Sequence, residues 1–184
     1  MTLGSDQFNA ALRRNLAELQ RAIVNLETMT GIEEAAGASG ASRFLEICYK
    51  ALFNDYVAHC CKAFEHRSDR VATFWTIREQ SDGWVDEIAR REDFDMASIE
   101  AVSIKLKSIR DKTHFHIDRT GMLDARSVWR QAGLKGSDLA FAVRGAWRLL
   151  TVLQRERGLP EMGSPNFNSS DAKLIATAIM RDGF

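Results

Sequence analysis

Apolar residues recur along this chain at intervals of three and four, with no useful run at intervals of two, so the pattern predicts helices throughout. From about Asp6 to Met29, Phe8, Leu12, Leu16, Leu19, Ile23 and Leu26 form one stripe, while Arg13, Glu18, Arg21 and Asn25 face away. That predicts an amphipathic first helix. The small-residue stretch Ala35 to Ser42 (AAGASGAS) breaks the pattern, because its glycines and serines favour turn geometry. Ser42 suits the N-cap of a second helix reaching about Phe64, whose apolar positions, among them Phe44, Leu45, Ile47, Leu52 and Tyr56, cover more than one face. Such a helix is expected to lie centrally.

Asp69 to Arg91 reads as one or two shorter helices carrying Phe74, Trp75, Ile77, Trp84, Val85 and Ile88, interrupted near Ser81 to Gly83. A strong helix is predicted from about Met96 to Phe115, with Ile99, Val102, Leu106 and Ile109 on one stripe. Gly121 supplies a stop, a loop with Trp129 follows, and Ser137 or Asp138 caps a further helix bearing Leu139, Val143, Trp147, Leu150 and Leu153. A stretch rich in Gly, Pro, Asn and Ser, Gly158 to Ser170, precedes a short final helix, so 158–184 is expected to be a loosely attached tail. Both prolines, Pro160 and Pro165, lie in this last part, which leaves the rest free for long helices. The expectation is an all-α, up-and-down helical bundle of four to five main helices plus short extra helices, forming one domain over 1–184.

Composition supports an ordinary folded chain. At 184 residues, with 45% hydrophobic and 27% charged positions, a domain buries roughly 70% of the surface its unfolded chain exposes. Twenty-five basic residues balance twenty-five acidic ones, so no global field attracts nucleic acid, and any RNA binding must come from a local patch. No apolar run is long enough to span a bilayer, and Met1 to Ala11 lacks a signal pattern, so a cytoplasmic protein without membrane contact is expected. Cys48, Cys60 and Cys61 are odd in number and lack C-x-x-C spacing, which argues against a disulfide framework or zinc ribbon and for core thiols. Ser42 is followed by Arg43 where a phosphate-cradling loop needs Gly-Lys-Ser/Thr, and no cofactor is expected.

One segment concentrates chemistry. Ser103 to Arg119 (SIKLKSIRDKTHFHIDR) holds five basic residues, Lys105, Lys107, Arg110, Lys112 and Arg119, against Asp111 and Asp118, and two of the four histidines. Histidine both takes and gives a proton near neutral pH, and arginine offers a permanently charged planar fork matched to phosphate oxygens. Metal-free RNA cleavage needs a base for the 2′-hydroxyl, a cation for charge building at phosphorus and an acid for the leaving oxygen. One Arg and one His supply two of these. A second His across a two-fold axis supplies the third, which makes an isologous homodimer chemically sensible.

Arg110-Asp111-Lys112-Thr113-His114-Phe115-His116 is similar to the signature of the HEPN superfamily: an Arg, a polar residue, four variable positions and a His. The wider context, ALFNDY (Ala51 to Tyr56), TFW (Thr73 to Trp75) and RDKTHFHID, resembles the abortive-infection AbiU-type branch, over roughly Ala51 to Leu153. The resemblance implies a helical bundle that dimerises with its motifs facing one another. Some members are endoribonucleases of defence or toxin–antitoxin systems, and others only bind nucleotides or protein partners such as an antitoxin or regulatory protein. By carry-over Arg110 would contact phosphate, His116 would transfer protons and Asp111 would orient one of them, with Lys107, Lys112 and Arg119 binding RNA. Ile117 and Asp118 follow His116, so the tyrosine that HEPN antitoxins paired with nucleotidyltransferases carry two places after the histidine is missing.

Helix geometry leaves two histidines in play. In an unbroken α-helix Arg110 and His114 differ by only about 40° of rotation, against about 120° for His116. The family spacing ranks His116 first and keeps His114 as the alternate. Other readings stand beside the catalytic one: basic residues near a helix C-terminus are favoured by the macrodipole alone. His114, His116 and Asp118 form an H-x-H-x-D pattern, but a helical segment spreads those side chains apart, and no metal is assigned. Arg144, Arg148 and Arg155 read as a solvated face, and His59 and His66 as packing or surface residues with no partner at ligand or triad spacing.

Overall fold

The computed structural model describes residues 3–37, 42–65, 72–114, 125–163 and 168–181, and all regular structure among them is helical. In chain order the helices are α1 (Ser5–Ala36), α2 (Arg43–Phe64), α3 (Phe74–Gln80), α4 (Trp84–Arg91), α5 (Met96–Ile109), a π-helical turn (Arg110–His114), α6 (Ala125–Ala132), α7 (Gly136–Glu156) and α8 (Ser169–Arg181). The protein is an all-α helical bundle. Its residues gather into two compact units, 1–19 with 60–162, and 20–59 with 163–184.

In the first unit α7 packs against α4 and α5, and α6 against α5. The buried face of α7 is the stripe Leu139, Ala142, Val143, Ala146, Leu149, Leu150 and Leu153, and each large side chain among them contributes about 1.5–3 kcal/mol by leaving water. Gly145 sits on the same face for a steric reason. A Cβ there would lie 2.1 Å from the Phe94 ring, which stacks on Phe141 with centroids 5.2 Å apart. The break between α3 and α4 comes from Ser81 to Gly83, as the sequence predicts. Ser81 Oγ donates to the Arg78 carbonyl at 2.7 Å and accepts from Val85 N–H at 3.3 Å, while Asp82 and Gly83 take φ of 51° and 84°. Asn15, fully buried on α1, donates to the carbonyls of Ala63 at 3.0 Å and Ala72 at 2.9 Å.

In the second unit the core joins Ile32 of α1, Leu45 of α2 and Ala176 of α8, with Cys48, Tyr49, Leu52, Ile179 and Met180 packed around them. Gly31 lets α8 approach α1 closely, since a Cβ there would meet Ser169 O at 2.4 Å and Ala172 Cβ at 2.5 Å. The segment read as a loosely attached tail therefore places α8 in a core, with Ala172 and Ala176 buried. Ser42 caps α2, its Oγ accepting from Leu45 N–H at 3.4 Å.

Several details differ from the sequence reading. The first helix runs past Met29 to Ala36, and Gly31 within it serves close packing. Glu18 and Asn25, read as facing away, are buried. Glu18 is compensated by Arg14 at 2.9 Å and Lys62 at 3.9 Å, and Asn25 donates to Asp55 at 2.8 Å, because a polar residue on the wrong side of a stripe can be buried once it is hydrogen-bonded. Trp129, placed in a loop by the reading, lies in α6. The residue before α7 is Lys135, extended and without a side-chain cap, so Ser137 and Asp138 fall inside its first turn. Among the described residues no helix is long and apolar enough to cross a membrane.

Candidate functional site

The segment that carries the sequence signature sits where α5 changes its winding. Asp95 caps the start of α5, its carboxylate accepting from Ala97 N–H at 2.9 Å. The helix then buries Ile99, Val102, Leu106 and Ile109. At Arg110 the α-helix gives way to a π-helical turn ending at His114. Such wide turns bond residues five apart instead of four. The 40° phase that aligned Arg110 with His114 holds for α-helix only, and α5 ends one residue before Arg110. His116 and Arg119, like Asp118 and His66, lie outside the described residues.

Arg110 is the fixed centre of the site. Its side chain is only 13% exposed, and its fork is held on both sides: Nη1 donates to Glu65, while Nε donates to Asp111 Oδ1 at 2.8 Å and Nη2 to the same oxygen. Burial works against the charged guanidinium, but the hydrogen bond and charge of Asp111, with Glu65 adding, outweigh it and raise its pKa above the ordinary value. The cation is permanent. Glu65, likewise only 13% exposed, follows directly on α2. The sequence reading missed it, because 45 positions separate it from Arg110 and no spacing rule links them.

Beside this cluster lies a cavity of about 620 Å³. Phe64, Trp75, Ile104 and Leu106 form apolar wall, and Glu65, Glu100, Lys107, Arg110 and Asp111 supply charge. The Trp75 ring is held by its Nε1, which donates to the Phe64 carbonyl at 3.2 Å and to Ser103 Oγ at 3.1 Å. Cys61 also lines the cavity. Burial first, then the charges of Glu65 and Asp111, push its thiol up to about 12 against the opposing pull of Arg110, so it is a neutral thiol and no nucleophile at neutral pH. Thus Arg110, Asp111 and Lys107 come together, as the sequence reading groups them. Lys107 is exposed and Lys112 half-buried.

The remaining candidates fall elsewhere. Arg148 pairs with Glu92 and Arg155 with Glu161 at 2.7 Å, which fits the solvated face expected of them. His59, read as a packing or surface residue, is buried and meets Asp55 Oδ2 at 3.2 Å, the oxygen that also accepts from Asn25. The i,i+4 spacing of Asp55 and His59 on α2 is the signal that could have found this pair. Among the described residues no cluster of three His, Cys, Asp or Glu side chains is arranged to hold a metal ion. Compared with family models, curated proteins and solved structures, the chain matches none.

Proposed function

We propose that this chain is a HEPN-like protein, resembling the AbiU-type branch, that cleaves RNA without a metal ion as a cytoplasmic homodimer in defence or toxin–antitoxin function. The observation that carries the reading is Arg110: a permanent cation, fixed by two carboxylates, on the wall of a ligand-sized cavity at a π-helical turn. A guanidinium so placed can neutralise charge that builds on a phosphoryl oxygen. In the reaction a base removes the 2′-hydroxyl proton, the 2′-oxygen bonds to phosphorus, the bond to the 5′-oxygen breaks, and an acid protonates that oxygen. His116 from each protomer serves as base or acid, with His114 as the alternate. Asp111 positions Arg110, and Lys107, Lys112 and Arg119 hold the RNA backbone. An antitoxin or regulatory protein is the expected partner.

A second reading, a non-catalytic nucleotide-binding or protein-interaction module, is favoured by the same ion pairs, since Glu65 and Asp111 already occupy the fork that phosphate needs. Cleavage assays in EDTA separate the two. On the nuclease reading RNA is cut in the chelator, and Arg110→Ala and His116→Ala each slow cutting by about 10²–10³-fold. Undiminished cutting by both variants removes the assignment. Binding without cutting establishes the module.

A further inference from the structure

Three carboxylates and two cations line the cavity beside Arg110, an unusual balance for a pocket that receives only phosphate. Glu65 and Asp111 are both held by the Arg110 fork. That leaves Glu100 and Lys107 as the cavity's charged groups outside the cluster. Both are exposed and both stand on α5, where seven positions separate them by about 10 Å of helix rise. Ile104 lies between them on the same face, and the immobilised Trp75 ring supplies an aromatic surface in the same cavity.

An ionised carboxylate accepts hydrogen bonds and cannot donate one. On their Watson–Crick edges adenine presents one donor beside one acceptor, cytosine one donor beside two acceptors, and uracil one donor between two acceptors. Guanine alone has two adjacent donors, N1–H and N2–H, spaced to meet both oxygens of a carboxylate. We propose that this cavity binds a guanine nucleotide, with Glu100 reading the base edge, Trp75 giving its π surface to the ring, and Lys107 taking the phosphate. The separation of Glu100 from Lys107 along α5 matches the reach from a base edge to its own phosphate group. The proposal deepens the nuclease reading, in which this base is the one recognised beside the cleaved bond, and it rests on that reading for its role in RNA. The wrong bases lose by leaving the carboxylate facing an acceptor, and a bidentate base contact of this kind discriminates by about tenfold or more.

The test is calorimetric titration of the full chain with the 5′-monophosphates of guanosine, adenosine, cytidine and uridine. Guanosine monophosphate is expected to bind at least about tenfold more tightly than the others. Glu100→Gln replaces two acceptors by one acceptor and one donor, the pattern that adenine complements, so it should abolish the guanine preference and raise adenosine monophosphate above it. A merely structural role for Glu100 cannot reverse selectivity in this way. Lys107→Ala should weaken all four ligands alike and lower the salt dependence. Equal binding of the four nucleotides, binding of none, or unchanged selectivity in Glu100→Gln overturns the proposal. RNA cutting that depends on Arg110 but ignores base identity overturns it while the nuclease reading stands. Selective guanosine monophosphate binding by a chain that never cuts RNA supports it and removes the nuclease reading.

Discussion

The cavity beside Arg110 in the first unit and the groove over Leu45 in the second are of similar size, about 620 and 550 Å³, yet their walls are built from opposite materials. The first mixes aromatic surface with five charged side chains, three of which hold one another. The second is walled by Ile32, Phe44, Leu45, Leu52, Ile175 and Ile179, with Phe44 and Ile175 more than half exposed. Paired charges have preferred directions, so the first cavity fixes the position of each group. Dispersion and water exclusion are non-directional, so the second surface defines shape and little else.

Variants can break this contrast, beginning with the tightest contacts. Gly31→Ala in the second unit forces a Cβ onto the backbone of α8, at 2.4 Å from Ser169 O, and should cost about 2 kcal/mol net after the gain in helix propensity. Gly145→Ala in the first unit meets the edge of the half-buried Phe94 ring, which can swing aside, and should cost about 1 kcal/mol or less. Urea unfolding midpoints measure both, and a larger loss at Gly145 would show that the aromatic contact is the less yielding one.

Alkaline titration gives a smaller effect. Cys61 is pushed from 9.0 to about 12 by burial above all, and Tyr49 from 10.0 to about 12 by burial with help from Glu33. Both acids have pKa values raised by folding, so their stabilisation is complete below about pH 9 and is lost as pH rises through 12. Cys61→Ala should therefore flatten the fall in stability between pH 9 and 12, and Tyr49→Phe should do so less and only above pH 10. Thermal melting across this range checks the order. The smallest change belongs to the apolar groove, where Ile175→Ser alters an exposed side chain and should shift stability by no more than about 0.5 kcal/mol.

Much of the fold was legible because α-helices announce themselves locally. The Leu12, Leu16, Leu19 stripe, the Ser42 cap and the Ser81 to Gly83 break all act within one or two turns of chain. What escaped was tertiary. Glu65 meets Arg110 only because the end of α2 lies beside α5, and Asn25 is buried only because Asp55 faces it. Of the candidate site, what the sequence made legible was proximity: Lys107, Arg110 and Asp111, three and four positions apart, line one cavity. Its geometry was not, because the change from α- to π-helix at Arg110 leaves no mark in the order of apolar residues. Nor did the order of residues show that Trp75, whose ring nitrogen bridges Phe64 and Ser103, also lines the cavity.

On the proposed nuclease reading, the double grip of Glu65 and Asp111 on Arg110 would turn anion recruitment into an exchange reaction. An incoming phosphate must displace or share a carboxylate, so resting affinity is a difference between two similar attractions and stays modest. An oxyanion gathering extra charge during the proposed bond breaking would outcompete a carboxylate where the resting diester would not. Competition from within would thereby weaken ground-state capture more than it weakens the fleeting, more highly charged species.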